Sequence, residues 1–179
     1  IIQRSNGDVF LSLPLITALY DYYAGPQIDL LVNDDTLSVA KLLPHINCIH
    51  TFSYQKKRDR RWNQERKIIS NIYRKYDLSI NLTASDRSVM YALLAGKKSI
   101  SAIEETSYKS WWKKLILSHF YFFNINRHIV LNNLEPLNIL GVKTTEIHEF
   151  TISDMAMNKV KIMLKKMKID KFIILIFAV

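Results

Sequence analysis

The stretch Ile1–Ile16, IIQRSNGDVFLSLPLI, decides the fold. Two isoleucines lead into a small polar turn, Ser5-Asn6-Gly7-Asp8, and an apolar run follows at once. That order reads as a strand, a tight turn at its carboxyl end, and the start of a helix. In open α/β sheets ligands sit at such junctions. The turn carries one carboxylate, Asp8, which at this place either caps the helix or takes a proton from a substrate. Spacing alone leaves both open. Gly7 permits close approach of backbone to ligand, and helix amides behind it favour an anion. The pattern GxGxxG is absent, which argues against a nicotinamide or flavin site.

Working outward, the same alternation repeats. A helix is expected over Asp8–Tyr23, kinked or restarted at Pro14 and ended by Gly25-Pro26. Gln27–Val32 is a second strand, and Thr36–Leu43 a short helix stopped before Pro44. Ile46–His50 is a third strand, followed by a basic segment that runs into a helix through Tyr73. Asp77–Leu82 is a fourth strand, Arg87–Leu94 a helix capped from Thr83–Asp86, and Lys98–Ile103 a fifth strand. Strands that are apolar runs, separated by helices, predict βαβ units: a parallel sheet with helices on both faces.

The rest is less regular. Glu104–Asn126 holds Trp111-Trp112-Lys113-Lys114 and the aromatic cluster Phe120–Phe123. His128–Leu140 reads as a helix containing Pro136 and ended by Gly141. Glu146–Ile152 alternates as a strand, Ser153 caps another helix, and Lys171–Val179 is a last apolar strand. A domain seldom closes on a fresh buried strand, so residues 1–152 are expected to form one domain. Residues 153–179 would then be a connecting helix and the first strand of a second.

Charge is concentrated. The net charge is +9, and Gln55–Lys67 holds seven basic and two acidic residues. Asn158–Lys171 adds six lysines against Asp170. Such runs imply an anionic partner or a solvated helix face. In the first run, Arg58, Arg60, Arg61, Arg66 and Lys67 surround Trp62. Arginine forks suit phosphate or carboxylate, and a tryptophan face suits a sugar or a base. The mix fits an anionic saccharide and also single-stranded nucleic acid. Ser85-Asp86-Arg87 lies at another βα junction, where Ser85 or Asp86 caps the helix or Arg87 reaches into the crevice. The single cysteine, Cys48, has no internal disulfide partner, and the five histidines show no metal-ligand spacing. No metal and no cofactor are expected. No apolar run is long enough to span a bilayer, and a cytoplasmic location is the simplest expectation.

In combination these pieces resemble a family, the lipopolysaccharide heptosyltransferases of glycosyltransferase family 9. The resemblance is carried by NGDVFLSLPLITAL, IDLLV, LPHINCIH, YDLSINLTASDRS, LLAGKKSIS and HIVLNNLEPLNILGV, in that order. The opening GD-x-x-x-x-x-P and the YDLxINL block are its strongest parts. The INLT wording is closest to the heptosyltransferase III-like branch.

The resemblance implies the N-terminal half of a GT-B enzyme with two Rossmann-like domains. The first domain would hold the lipid A–Kdo inner-core acceptor. The second would hold the donor, ADP-L-glycero-β-D-manno-heptose, and transfer would invert the anomeric centre. It also implies that Asp8 is the general base. Asn6, Arg58, Arg60, Arg61, Arg66, Lys67, Ser85, Arg87 and His128 would be acceptor contacts. A chain without the donor domain should transfer little or nothing. Because the acceptor is membrane-anchored, peripheral contact with the inner membrane is expected, with Trp111–Lys114 as its candidate. The competing expectations are a basic nucleic-acid-binding α/β module and a remnant without partners.

Overall fold

The computed structural model describes residues 1–55, 58–105, 111–142 and 154–166, with the side chains of 58–60 and 154–156 left aside. Among the described residues the five strands are β1 (Ile28–Asn33), β2 (Ile46–Phe52), β3 (Tyr76–Asn81), β4 (Gly96–Ile103) and β5 (His119–Phe122). β1 pairs with β2, and β3 with β4 and β4 with β5, all parallel. The opening residues join these two sheets. Ile2 N donates to Leu31 O (2.8 Å) and forms a parallel bridge with Val32. On the other side Ile1 N donates to Ile80 O (2.7 Å), Leu82 N to Ile1 O (3.0 Å), and Gln3 N to Thr83 Oγ1 (3.0 Å). The spatial order is therefore β2, β1, Ile1–Gln3, β3, β4, β5. This is the doubly wound order, whose switch point lies between Ile1–Gln3 and β3.

Helices cover both faces, and period-2 side chains supply two cores. Leu30 and Val32 join Ile2, Val9, Leu13, Ile16 and Leu137 on one face. That core lies under α1 (Asn6–Phe10), α2 (Leu13–Tyr22), α3 (Leu37–Ala40) and α7 (Ile129–Leu140). Leu31 points the other way, to Phe52, Ile68, Ile72 and Tyr91 beneath α4 (Arg58–Ile72) and α5 (Asp86–Ala95). The short α6 (Trp111–Ile116) packs Trp112 beside Val89 and Ile103.

Several expectations shift for identifiable reasons. The opening helix is two pieces: α1 ends at Phe10 and α2 restarts at Leu13, with Pro14 in the first turn, where its missing N–H costs nothing. α5 passes directly into β4 at Gly96, one strand residue rather than a loop. A Cβ at Gly96 would lie 2.5 Å from Lys98 O and 2.8 Å from Ser79 N, so only glycine fits that junction. β5 falls inside the aromatic cluster read as irregular; it is only four residues long and its period-2 signal is too short to show. Of the two tryptophans, Trp112 packs into the core and Trp111 is 63% exposed. The last helix, α8, covers Asp154–Lys166. The expected strands at Glu146–Ile152 and Lys171–Val179, and the cap at Ser153, lie outside the described residues, so the boundary at 152/153 is not seen.

Candidate acceptor crevice

The carboxyl ends of the strands converge at the switch point, and the first turn occupies it. Ser5 is the N-cap of α1, and Asp8 stands at the third helical position of a capping box. Asp8 N–H donates to Ser5 Oγ (3.4 Å). In return the Asp8 carboxylate accepts from Ser5 N (3.2 Å) and Ser5 Oγ (2.9 Å). It also accepts from Arg4 Nε at 3.1 Å. All three bonds fall on one oxygen, Oδ2. Oδ1 is left outside the box, and the side chain is 19% exposed. Asn6 and Gly7 are exposed beside it. A Cβ on Gly7 would meet only Ser5 Oγ, at 3.9 Å, so the fold itself does not demand glycine there.

Arg4 is the residue that the sequence reading passed over. Its guanidinium lies 4.6 Å from the Phe123 ring centre at the end of β5, and its carbonyl accepts from Asn33 Nδ2 (3.3 Å) at the end of β1. One residue, through its side chain and its carbonyl, thus links the opening segment to the ends of β1 and β5. The available signal was the i,i+4 pairing of Arg4 with Asp8 across the turn. Nearby, Tyr121 has a buried hydroxyl without a hydrogen-bond partner among the described residues. Burial raises its pKa, the Glu135 charge adds to that, and Arg4 opposes it. The Gln3 amide is also buried at the switch point, with neither of its polar atoms paired among the described residues.

The second turn follows β3. Ser85 is the N-cap of α5 and accepts from Ser88 N–H (3.3 Å). Fully buried Asn81 anchors the turn: its Nδ2 reaches Thr83 O (2.6 Å), Ser101 Oγ (2.8 Å) and Ser88 Oγ (3.1 Å). Asp86 is taken by the buried ammonium of Lys113, 2.7 Å away, which also donates to Ala84 O (2.8 Å). Arg87 does not swing freely into the crevice. Its guanidinium stacks 4.0 Å from the Phe52 ring centre and 4.5 Å from that of Tyr54, to whose hydroxyl it donates. It joins the end of β2 to the start of α5.

His128 is the N-cap of α7; its Nδ1 accepts from Val130 N–H (3.3 Å), and its ring is exposed. The loop before it is tied down by buried Asn132, which donates to Asn124 O and Arg127 O. Arg127 pairs with Glu135. Burial pushes the Glu135 carboxyl up, but hydrogen bonds from Arg127 and Asn138 and the Arg127 charge outweigh it, leaving the pKa lowered. On α4, Arg61, Arg66 and Lys67 are exposed, and Trp62 is 67% exposed. Buried Gln64 locks the helix to the end of β2 by accepting from Ser53 N–H and donating to Ser53 O. Arg58 and Arg60 belong to α4 by backbone, but their side chains lie outside the description. The structure therefore brings Asp8, Asn6 and the second turn to one edge. His128 and the α4 cations belong to segments that begin at that edge.

A doubly wound parallel sheet with its polar turns gathered at the carboxyl edge defines a Rossmann-like α/β domain with a ligand crevice at its switch point. No protein-family profile matches the chain. Two curated relatives do. One, lipopolysaccharide heptosyltransferase 3 of Escherichia coli K12, is 30% identical over 146 residues, covering 78% of this chain and 41% of the relative. The other, lipopolysaccharide heptosyltransferase 3 of Escherichia coli, is 28% identical over 149 residues. Among solved structures, a family 9 glycosyltransferase from Veillonella parvula superposes with a TM-score of 0.76 at 16% identity, over 94% of this chain and 49% of that one. The E. coli heptosyltransferase WaaC with ADP gives 0.63 at 17% identity, over 82% and 48%. In sequence the chain is similar to the lipopolysaccharide heptosyltransferases, and in fold to glycosyltransferase family 9. It spans about two fifths of the length of the curated relatives it matches.

Proposed function

We propose that this chain is the acceptor-binding half of an inverting glycosyltransferase that moves heptose from ADP-L-glycero-β-D-manno-heptose to the lipopolysaccharide inner core. The observation that carries the reading is the division of labour within one carboxylate. Three donors hold Asp8 Oδ2 and fix the side chain's orientation. Oδ1 remains to accept a proton from an acceptor hydroxyl. As that proton moves to Oδ1, the acceptor oxygen attacks the anomeric carbon. The bond from that carbon to the ADP oxygen breaks, and ADP leaves with the electron pair. One displacement inverts the anomeric centre.

Arg4, between Asp8 and Phe123, offsets the Asp8 charge where the acceptor's carboxylates and phosphates would approach. Asn6, Ser85 and His128 would supply hydrogen bonds from the rim, and Arg58, Arg60, Arg61, Arg66 and Lys67 long-range attraction. Arg87 acts by joining β2 to α5. The donor nucleotide sugar would be held by the part of the relatives that this chain does not cover. By itself the chain should therefore bind acceptor and transfer little. No helix among the described residues is long and apolar enough to cross a membrane. Contact with the anchored acceptor would be peripheral, with exposed Trp111 and Lys114 resting on anionic lipid.

The test has two arms. Isothermal titration of the chain with a Kdo-containing inner-core oligosaccharide should show saturable binding. A labelled-heptose assay on the chain alone should show little product. Absence of binding, or turnover equal to that of a full-length relative, would each overturn the proposal.

A further inference from the structure

A second cluster lies at the opposite, amino edge of the sheet, on the face covered by α4 and α5. It continues two rows of side chains that start in the core. On β1 the row runs from Leu31 back to Asp29; on β2 it runs from Phe52 through His50 to Cys48. Leaving the core, the rows change from apolar residues to ligating ones. The register change matters. Ile28 pairs with Ile46, but Asp29 pairs with Cys48, because Asn47 is an extra residue in β2. Without that bulge Asn47 would stand opposite Asp29, and Cys48 and His50 would turn to the other face.

One ligand atom from each of Asp29, Cys48 and His50 lies within 4.8 Å of the other two. Ligand atoms around a tetrahedral zinc ion with bonds of about 2.0–2.3 Å are about 3.3–3.8 Å apart. The three side chains thus need to close by about 1 Å, a matter of small rotations. The carboxylate is already oriented: Asn47 Nδ2 donates to Asp29 Oδ1 (2.9 Å) and Tyr76 Oη to Asp29 Oδ2 (2.7 Å). Tyr76 Oη is also 3.3 Å from His50 Nε2, so one outer group steadies two ligands. Asp29, His50 and Tyr76 line a hollow of about 880 Å³, and Cys48 is exposed, so an ion and a water have a way in.

We propose that Asp29, Cys48 and His50 form a binding site for a zinc-class divalent cation, with solvent as the fourth ligand and Tyr76 as a positioning residue. The donor set of one sulfur, one imidazole nitrogen and one carboxylate oxygen favours zinc, cobalt or nickel over magnesium and calcium. The site is separate from the acceptor crevice, which lies at the other ends of the same strands.

The probe is cobalt(II), added to tag-free, chelator-treated chain. The expected result is one equivalent bound, with thiolate-to-cobalt charge transfer in the near ultraviolet and the intense visible bands of four-coordinate cobalt. Zinc(II) should abolish both. Cys48→Ser should lose the charge-transfer band, and His50→Gln should lose four-coordinate binding. Tyr76→Phe should weaken binding at least about tenfold while keeping the band. Circular dichroism of each variant checks that the fold survives. Cobalt bound without a charge-transfer band, or a band that persists in Cys48→Ser, overturns the proposal. So does tight binding unaffected by His50→Gln in a folded variant.

Discussion

Two turns flank the switch point, one after Ile1–Gln3 and one after β3, and they use the same capping chemistry to different ends. Each opens a helix with a serine N-cap and carries an aspartate in the first helical turn. In the second turn these groups serve the fold: Asn81 is bonded on both ends of its amide, and Asp86, though 71% exposed, accepts at Oδ1 from the buried ammonium of Lys113. In the first, three donors converge on one carboxylate oxygen, Oδ2, and none among the described residues reaches the other. Capping and catalysis are therefore not alternatives for Asp8. The cap fixes the carboxylate, and under the proposed mechanism the oxygen left over takes the proton.

That contrast can be broken in measurable ways. The largest effect should be on turnover, in a two-domain transferase containing this chain. Asp8→Asn should lower kcat roughly a hundred- to ten-thousand-fold, because the amide takes no proton. Asp86→Asn should leave kcat near the starting value. Equal losses would mean that both aspartates act only through helix stability. Next comes Asn81→Leu, which removes the second turn's anchor and strands Thr83 N–H. It should cost about 2–3 kcal/mol in urea unfolding. Gly96→Ala, at the helix-to-strand junction behind that turn, should cost about 1–3 kcal/mol by the same measurement, since backbone rather than a side chain must move. Ser85→Ala should cost about 1 kcal/mol, the usual loss for a helix cap.

The smallest effect concerns pH, at the pair that ties the loop after β5 to α7. Glu135 has a lowered pKa in the fold, so the folded state binds its proton less readily than the unfolded chain does. Its stabilising contribution is complete above the ordinary carboxylate value of 4.5 and is lost as pH falls through the lowered one. Glu135→Gln should flatten the acid side of the stability profile without changing it near neutrality. An unchanged acid limb would show that the Arg127 pair is loose in solution.

Much of this was legible in the chain. Apolar runs bounded by turn residues gave β1 to β4 to within a few residues and the strand position of the opening residues, which form a single bridge, and Pro14 marked the helix restart. The GD turn and the YDLxINL block pointed to the family. What was hidden depends on contacts between distant segments. β5 is too short for a pattern of its own. Arg87 read as a free cation because the aromatic pair beneath it, Phe52 and Tyr54, is more than thirty residues away. The Asp29–Cys48–His50 cluster depends on a one-residue bulge at Asn47, and register of that kind leaves no trace in spacing.

The most direct test of the central claim, that the carboxyl edge is the acceptor site, is a chemical-shift titration of the nitrogen-15-labelled chain with lipid-free, Kdo-containing inner-core oligosaccharide. The account predicts that saturable shifts gather at Arg4–Asp8, Thr83–Arg87 and Asn124–His128, and that Asp8→Asn retains them. Shifts centred on Asp29, Lys75 and Lys97 at the amino edge, or none at saturating oligosaccharide, would contradict it.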